Sequence, residues 1–116
     1  MLVSPSDRQR EAAREAIALL RSQAAGLADT GSKTTVEEIH RVLAALEKLA
    51  AGPSVELSPE EKVRIERATF LLQGTRSGLE SADFHTRAKI VQGTIDDLGD
   101  VVGDYNANMT DDRGDA

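Results

Sequence analysis

The sequence contains no cysteine and no tryptophan, and its aromatic residues are two phenylalanines and one tyrosine. The lack of cysteine excludes disulfides, thiolate nucleophiles and cysteine-based zinc or iron–sulfur sites. With so few aromatic residues, the core must be built from Leu, Ile, Val and Ala. This composition suits packed helices better than a β-sandwich.

Long apolar runs are also missing. No stretch approaches the roughly 18 apolar residues that a membrane-spanning helix needs. The first residues, MLVSPSD, carry neither a basic region nor the apolar run of a signal peptide. We therefore expect a cytoplasmic protein that does not interact with a membrane.

The length of 116 residues indicates one domain. Hydrophobic residues make up 40% and charged residues 29% of the chain, as in ordinary globular proteins. The 14 Lys and Arg residues are outnumbered by 20 Asp and Glu residues, so the formal net charge is −6. Such an acidic chain would repel phosphate backbones, and we expect no nucleic-acid partner.

Three clusters of helix-breaking residues, at 28–32, 52–55 and 80–83, divide the chain into four segments with helical periodicity. The pattern predicts an all-α fold, either an antiparallel four-helix bundle or helical hairpins, with a long C-terminal helix. We expect a single helical domain over residues 1–109. Residues 110–116 have no apolar side chain except the terminal alanine, which predicts a disordered tail.

The segment Ser58-Pro59-Glu60-Glu61 is the strongest helix start, because it combines an N-cap serine, proline at the first helical position and glutamate three residues after the cap. The first helix is expected to begin near Ser4 or Ser6. The second is expected to begin at Thr34 or Thr35.

The fourth segment has the most regular apolar pattern, with steps of four and three residues over more than three heptads. Such a repeat predicts a long helix packed lengthwise on its neighbours. The residues of this stripe are Phe84, Ala88, Val91, Ile95, Leu98, Val102, Tyr105 and Met109.

Few residues suggest chemistry. Glu37 and His40 have the Glu-x-x-His spacing that di-iron bundles use in pairs, but Ala82 precedes His85 by three residues, so a second copy is missing. No nucleophile elbow and no phosphate-binding loop occur. We expect no enzymatic activity and no cofactor, and a metal-binding or phosphorelay bundle using His40 is the alternative.

Residues 57–68, LSPEEKVRIERA, resemble the segment that opens the penultimate helix in the C-terminal lid of Hsp70-type chaperones. Residues 88–109 are then similar to the lid helix that follows, and residues 6–51 to the earlier lid helices. Because these 116 residues include neither the ATPase nor the β-sandwich domain of that family, the resemblance implies a helical module that contacts clients, a chaperone or another subunit.

The sequence therefore predicts a non-enzymatic helical interaction module, chaperone-lid-like in one version, that binds a protein partner or client or associates with itself. Apolar residues beside the helix stripes are candidates for an exposed partner-binding edge, although they are also plausible core residues. These candidates are Val42, Leu49, Phe70 and Leu71.

Overall fold

The computed structural model describes the backbone of residues 2–29 and 33–114, and the side chains of residues 2–26 and 35–107. Four helices and two very short strands make up this part of the chain. In chain order the elements are β1 (Leu2–Val3), α1 (Asp7–Asp29), α2 (Lys33–Ala50), β2 (Val55–Glu56), α3 (Pro59–Ser81) and α4 (His85–Gly114).

The helices form two hairpins that pack on each other. α1 lies against α2 and α3 against α4, while α1 also packs on α4 and α2 on α3. Helices that are sequential in the chain and packed along each other, as α1 with α2 and α3 with α4 are, run antiparallel when the segment between them is short. The 30 residues of α4 span about 45 Å at 1.5 Å per residue, which accounts for most of the 49 Å long dimension of the molecule. The all-α prediction is confirmed.

One aliphatic core runs between the four helices. α1 contributes mainly alanines to it, so α1 can approach its neighbours closely, whereas α2, α3 and α4 supply the larger side chains. Tyr105 is the largest fully buried residue, and Lys62 Nζ lies 5.9 Å from the centre of its ring. The large residues of the core include Leu20, Ile39, Leu46, Leu49, Leu57, Ile65, Leu72 and Leu98.

The two strands form an antiparallel ribbon in which Leu2 pairs with Glu56 and Val3 with Val55. Val3 and Val55 are both buried. The ribbon therefore pairs residues 2–3 with the connection between α2 and α3. Sequence analysis did not predict it, because two residues are too few to show the alternation that identifies a strand.

The predicted start of α3 is confirmed by its capping box. Glu61 N donates to Ser58 Oγ at 3.1 Å, and Ser58 N donates to Glu61 Oε1 at 2.9 Å. Lys48 Nζ, at the end of α2, lies 2.9 Å from the same carboxylate oxygen. The hydrogen bond from the Ser58 backbone, followed by the one from Lys48, lowers the pKa of Glu61 below its ordinary value.

Of the other two starts, that of α1 near Ser6 is confirmed and that of α2 differs in detail. α1 begins directly after Ser6, whose hydroxyl accepts from Gln9 N at 3.1 Å while Ser6 N donates to Gln9 Oε1 at 2.8 Å. This is a second capping box, with glutamine in place of glutamate. α2 begins at Lys33, so the predicted starts at Thr34 and Thr35 are one or two residues late.

The stripe of α4 is confirmed in its middle and changes at both ends. Phe84 is 57% exposed, and Val101 is buried at 3% while Val102 is only half-buried. Val101 lies on the side of α4 that faces β1, where it lines a concavity together with Leu2 and Val3. The Met109 side chain lies outside the described residues.

α4 continues to Gly114, beyond the predicted end of the domain at residue 109. Side chains from Asn108 onward and residues 115–116 lie outside the described part of the chain. The disordered tail over residues 110–116 therefore stays a prediction.

Candidate interaction surface

The four candidate partner-binding residues lie in different environments. Val42 and Leu49 are buried in the core, and Leu71 is partly buried against it. The expectation that Val42 and Leu49 form an exposed edge is therefore wrong. α2 packs against both α1 and α3, so its wide apolar stripe is covered on two sides. Only Phe70 of the four is fully on the surface.

Phe70 belongs to an exposed ridge on the outer face of α3. Its side chain is 61% exposed, and Val63, seven residues earlier, is 55% exposed. Residues seven apart lie on the same face of a helix, and Arg67 lies between them. We call Val63, Arg67 and Phe70 the Phe70 ridge.

Arg67 connects the ridge to α2. Its guanidinium carbon lies 4.9 Å from the centre of the Phe70 ring, a cation–π distance. Its Nε also donates a hydrogen bond to Glu38 Oε1 on α2. These two contacts restrict both the arginine and the ring, so the ridge loses less side-chain entropy if a partner covers it.

Beyond Phe70, the surface of α3 carries no side chain at two positions on the same side of the helix. Gly74 and Gly78 follow on α3, and a Cβ added at either glycine would meet no atom within 4 Å. Internal packing therefore does not require glycine there, although each glycine costs a helix interior about 1 kcal/mol relative to alanine. The glycines leave space beside Phe70 in which another backbone could approach.

Val63 and Arg67 were not among the sequence candidates. The signal that could have identified them is their spacing of seven and three residues from Phe70, which places all three on one helix face. This face is opposite the buried residues of α3, which are Ile65, Ala68 and Leu72. Sequence analysis missed that α3 has apolar residues on its polar face as well as on its buried face.

His40 is exposed at the rim of a shallow depression between α1 and α2, beside Arg21 and Leu43. Glu37, its partner in the Glu-x-x-His spacing, is also exposed. Within the described residues, no group of three or more His, Asp or Glu side chains is placed to hold a metal ion. The depression thus offers one imidazole and no neighbouring ligand set.

In the part of the chain that the structure describes, no helix combines the length and apolar character required to cross a membrane. No family model matches the chain, and neither a curated protein nor a solved structure does. The resemblance to the Hsp70 lid therefore stays a prediction.

Proposed function

We propose that this protein is a non-enzymatic helical interaction module and that a partner protein docks on the Phe70 ridge. The observation that carries the proposal is the exposure of both Phe70 and Val63 on one face of a well-packed helix. Exposed large apolar side chains that share one face are typical of protein–protein contact sites. Aromatic residues and arginine are also enriched at the centres of such interfaces.

The size of the ridge suits a specific contact of moderate strength. Covering the exposed part of Phe70 removes roughly 100 Å² of apolar surface from water, worth about 2.5 kcal/mol at 25 cal/mol per Å². Arg67 is already held by Glu38, so it can contribute hydrogen bonds and stacking without first being ordered.

The chaperone-lid resemblance suggests one version of this function, in which the ridge contacts unfolded clients. In the other version it holds a single folded partner. The metal alternative at His40 gains no support from the described residues, because no group of three or more His, Asp or Glu side chains among them is placed to hold a metal ion. The phosphorelay alternative rests on the exposed imidazole of His40 alone.

The matched variants Phe70→Gln and Phe84→Gln test the proposal. Both remove an exposed phenylalanine, 61% and 57% exposed, but only the first lies on the ridge. Each protein is used for affinity capture from a native extract, and recovered proteins are quantified by mass spectrometry. Calorimetry with each purified partner then gives its affinity for the same variants.

We expect Phe70→Gln to weaken binding at least tenfold and Phe84→Gln to leave it unchanged. One stoichiometric partner would indicate an adaptor, and a mixed set of unfolded proteins a lid-like role. Equal affinity of the wild type and Phe70→Gln would remove the ridge as the docking surface. Absence of any specific partner would argue against an interaction module.

A further inference from the structure

Two concavities follow one another along α4, the first between α1 and α4 and the second between α4 and the segment that holds β1. Their lining residues on α4, Asp97 and Val101, are about one helical turn apart, and we call the two together the α1–α4 groove. One is lined by Arg8, Glu11, Ala12, Glu15, Ile90, Gly93, Thr94 and Asp97. The other is lined by Leu2, Val3, Ser4, Pro5, Gln9, Val101, Asp104 and Ala107.

The groove has an apolar side chain at each end, and small residues line its bottom. Ile90 is 55% exposed at one end and Leu2 is 60% exposed at the other. Gly93 and Ala12 line the floor near Ile90. A Cβ on Gly93 would meet nothing within 4 Å, so packing within this chain does not require a glycine in the middle of α4.

The rim of the groove is acidic. Arg8 Nε lies 3.1 Å from the carboxylate of Asp97, and this ion pair neutralises the charge of Asp97. Glu11 is paired on its outer side with Arg14 at 3.0 Å. Glu15 and Asp104, near the two ends, have no ion-pair partner among the described residues. An occupant that brings positive charge to both ends would complete these pairs.

We propose that the α1–α4 groove binds a basic amphipathic helix of a partner protein. Its apolar side chains would contact Ile90, Gly93 and Leu2, and its Lys or Arg side chains would face Glu15 and Asp104. The groove extends along α4 from Ile90 to Ala107, which are 18 residues with a rise of about 26 Å between the first and the last. This length accommodates between four and five turns of a helix.

A second copy of this chain fits less well. In a two-fold contact the same face meets itself, so the carboxylates of Glu15 and Asp104, which have no ion-pair partner among the described residues, would be brought close to those of the other copy. The net charge of −6 adds to that repulsion. A basic segment from a different protein has the complementary charge.

The probe for this proposal is an 18-residue synthetic helix of leucine and lysine, labelled for fluorescence anisotropy. A peptide in which glutamate replaces each lysine serves as the control ligand. The protein variants are Gly93→Leu, which fills the floor and leaves every charge in place, and Gly74→Leu, which alters an equally open glycine beside the Phe70 ridge. Circular dichroism establishes that each variant is folded.

We expect the lysine peptide to bind the wild type and Gly74→Leu equally and Gly93→Leu at least tenfold more weakly, with no binding of the glutamate peptide. A second variant, Glu15→Gln with Asp104→Asn, leaves the floor open. It is expected to weaken binding and to reduce its dependence on salt.

Equal affinity for the wild type and Gly93→Leu would show only general attraction to an acidic protein and would overturn the proposal. Loss of binding in Gly74→Leu instead would place the peptide on the Phe70 ridge and overturn it as well. This proposal does not depend on the proposed function, because the two surfaces lie on different helices and respond to different variants.

Discussion

Val101 and Val102 provide the sharpest test of how α4 packs. The seven-residue repeat places Val102 in the core, whereas the structure buries Val101 at 3% and leaves Val102 half-buried. Both are valines in the same helix, so replacement by alanine changes helix propensity equally. The difference in cost between Val101→Ala and Val102→Ala therefore reports burial alone.

The expected losses in the free energy of unfolding follow from the atoms that each substitution removes. Val101→Ala deletes two fully buried carbons, which costs about 1.6 kcal/mol at 0.8 kcal/mol each, and the remaining cavity adds to this. Alanine returns about 0.5 kcal/mol through its higher helix propensity. We expect a loss of about 1.5 kcal/mol in the free energy of unfolding for Val101→Ala and of about 0.3 kcal/mol for Val102→Ala.

Urea unfolding followed by circular dichroism at 222 nm measures both values. The slopes with urea must agree between variants for the comparison to hold. At about 4 °C per kcal/mol for a domain of this size, the two melting temperatures should differ by about 5 °C. A cost for Val102→Ala equal to or larger than that for Val101→Ala would show that α4 is rotated from the described packing.

Two further predictions concern the start of α3. Ser58→Ala removes the hydroxyl that accepts from Glu61 N and should lower stability by about 1 kcal/mol in the same urea assay; no loss would show that the cap is not formed in solution. Because the pKa of Glu61 is lowered in the folded protein, its charge stabilises the fold above the ordinary pKa and ceases to do so as the pH falls through the folded pKa. The stability advantage of the wild type over Glu61→Gln should therefore shrink as the pH is lowered below the ordinary pKa value of 4.5, and a constant difference would contradict this origin.

Local chemistry explains what the sequence could predict. The hydrogen bonds of Ser58 reach only to Glu61, three residues away, so the residues that form the cap stand next to each other in the sequence. The alternating steps of α4 between Ala88 and Leu98 likewise depend on helix geometry alone. Gln9 likewise stands three residues after Ser6, so this pair could have been recognised as a capping box from the sequence.

Contacts between distant residues explain what the sequence could not predict. The pairing of Val3 with Val55 joins segments about 50 residues apart and has no local pattern. The stripe of α2 showed that Val42 and Leu49 are apolar, but not that both α1 and α3 would cover them. The left-handed turn at Asp83, with φ of 65°, also occurs without glycine and has no unique local signal.

The two proposed surfaces differ in the charge of the partners that they favour. The Phe70 ridge presents an apolar face with Arg67, whereas the α1–α4 groove presents carboxylates around Ile90. α3 and α4 pack on one another within a single core, so the distance and orientation between the two surfaces are fixed. If both proposals hold, one copy of the protein brings two different partners together and raises their effective concentration toward each other. Gly93→Leu should then abolish that joint complex while leaving binding at the Phe70 ridge intact, because the substitution changes no residue of α3.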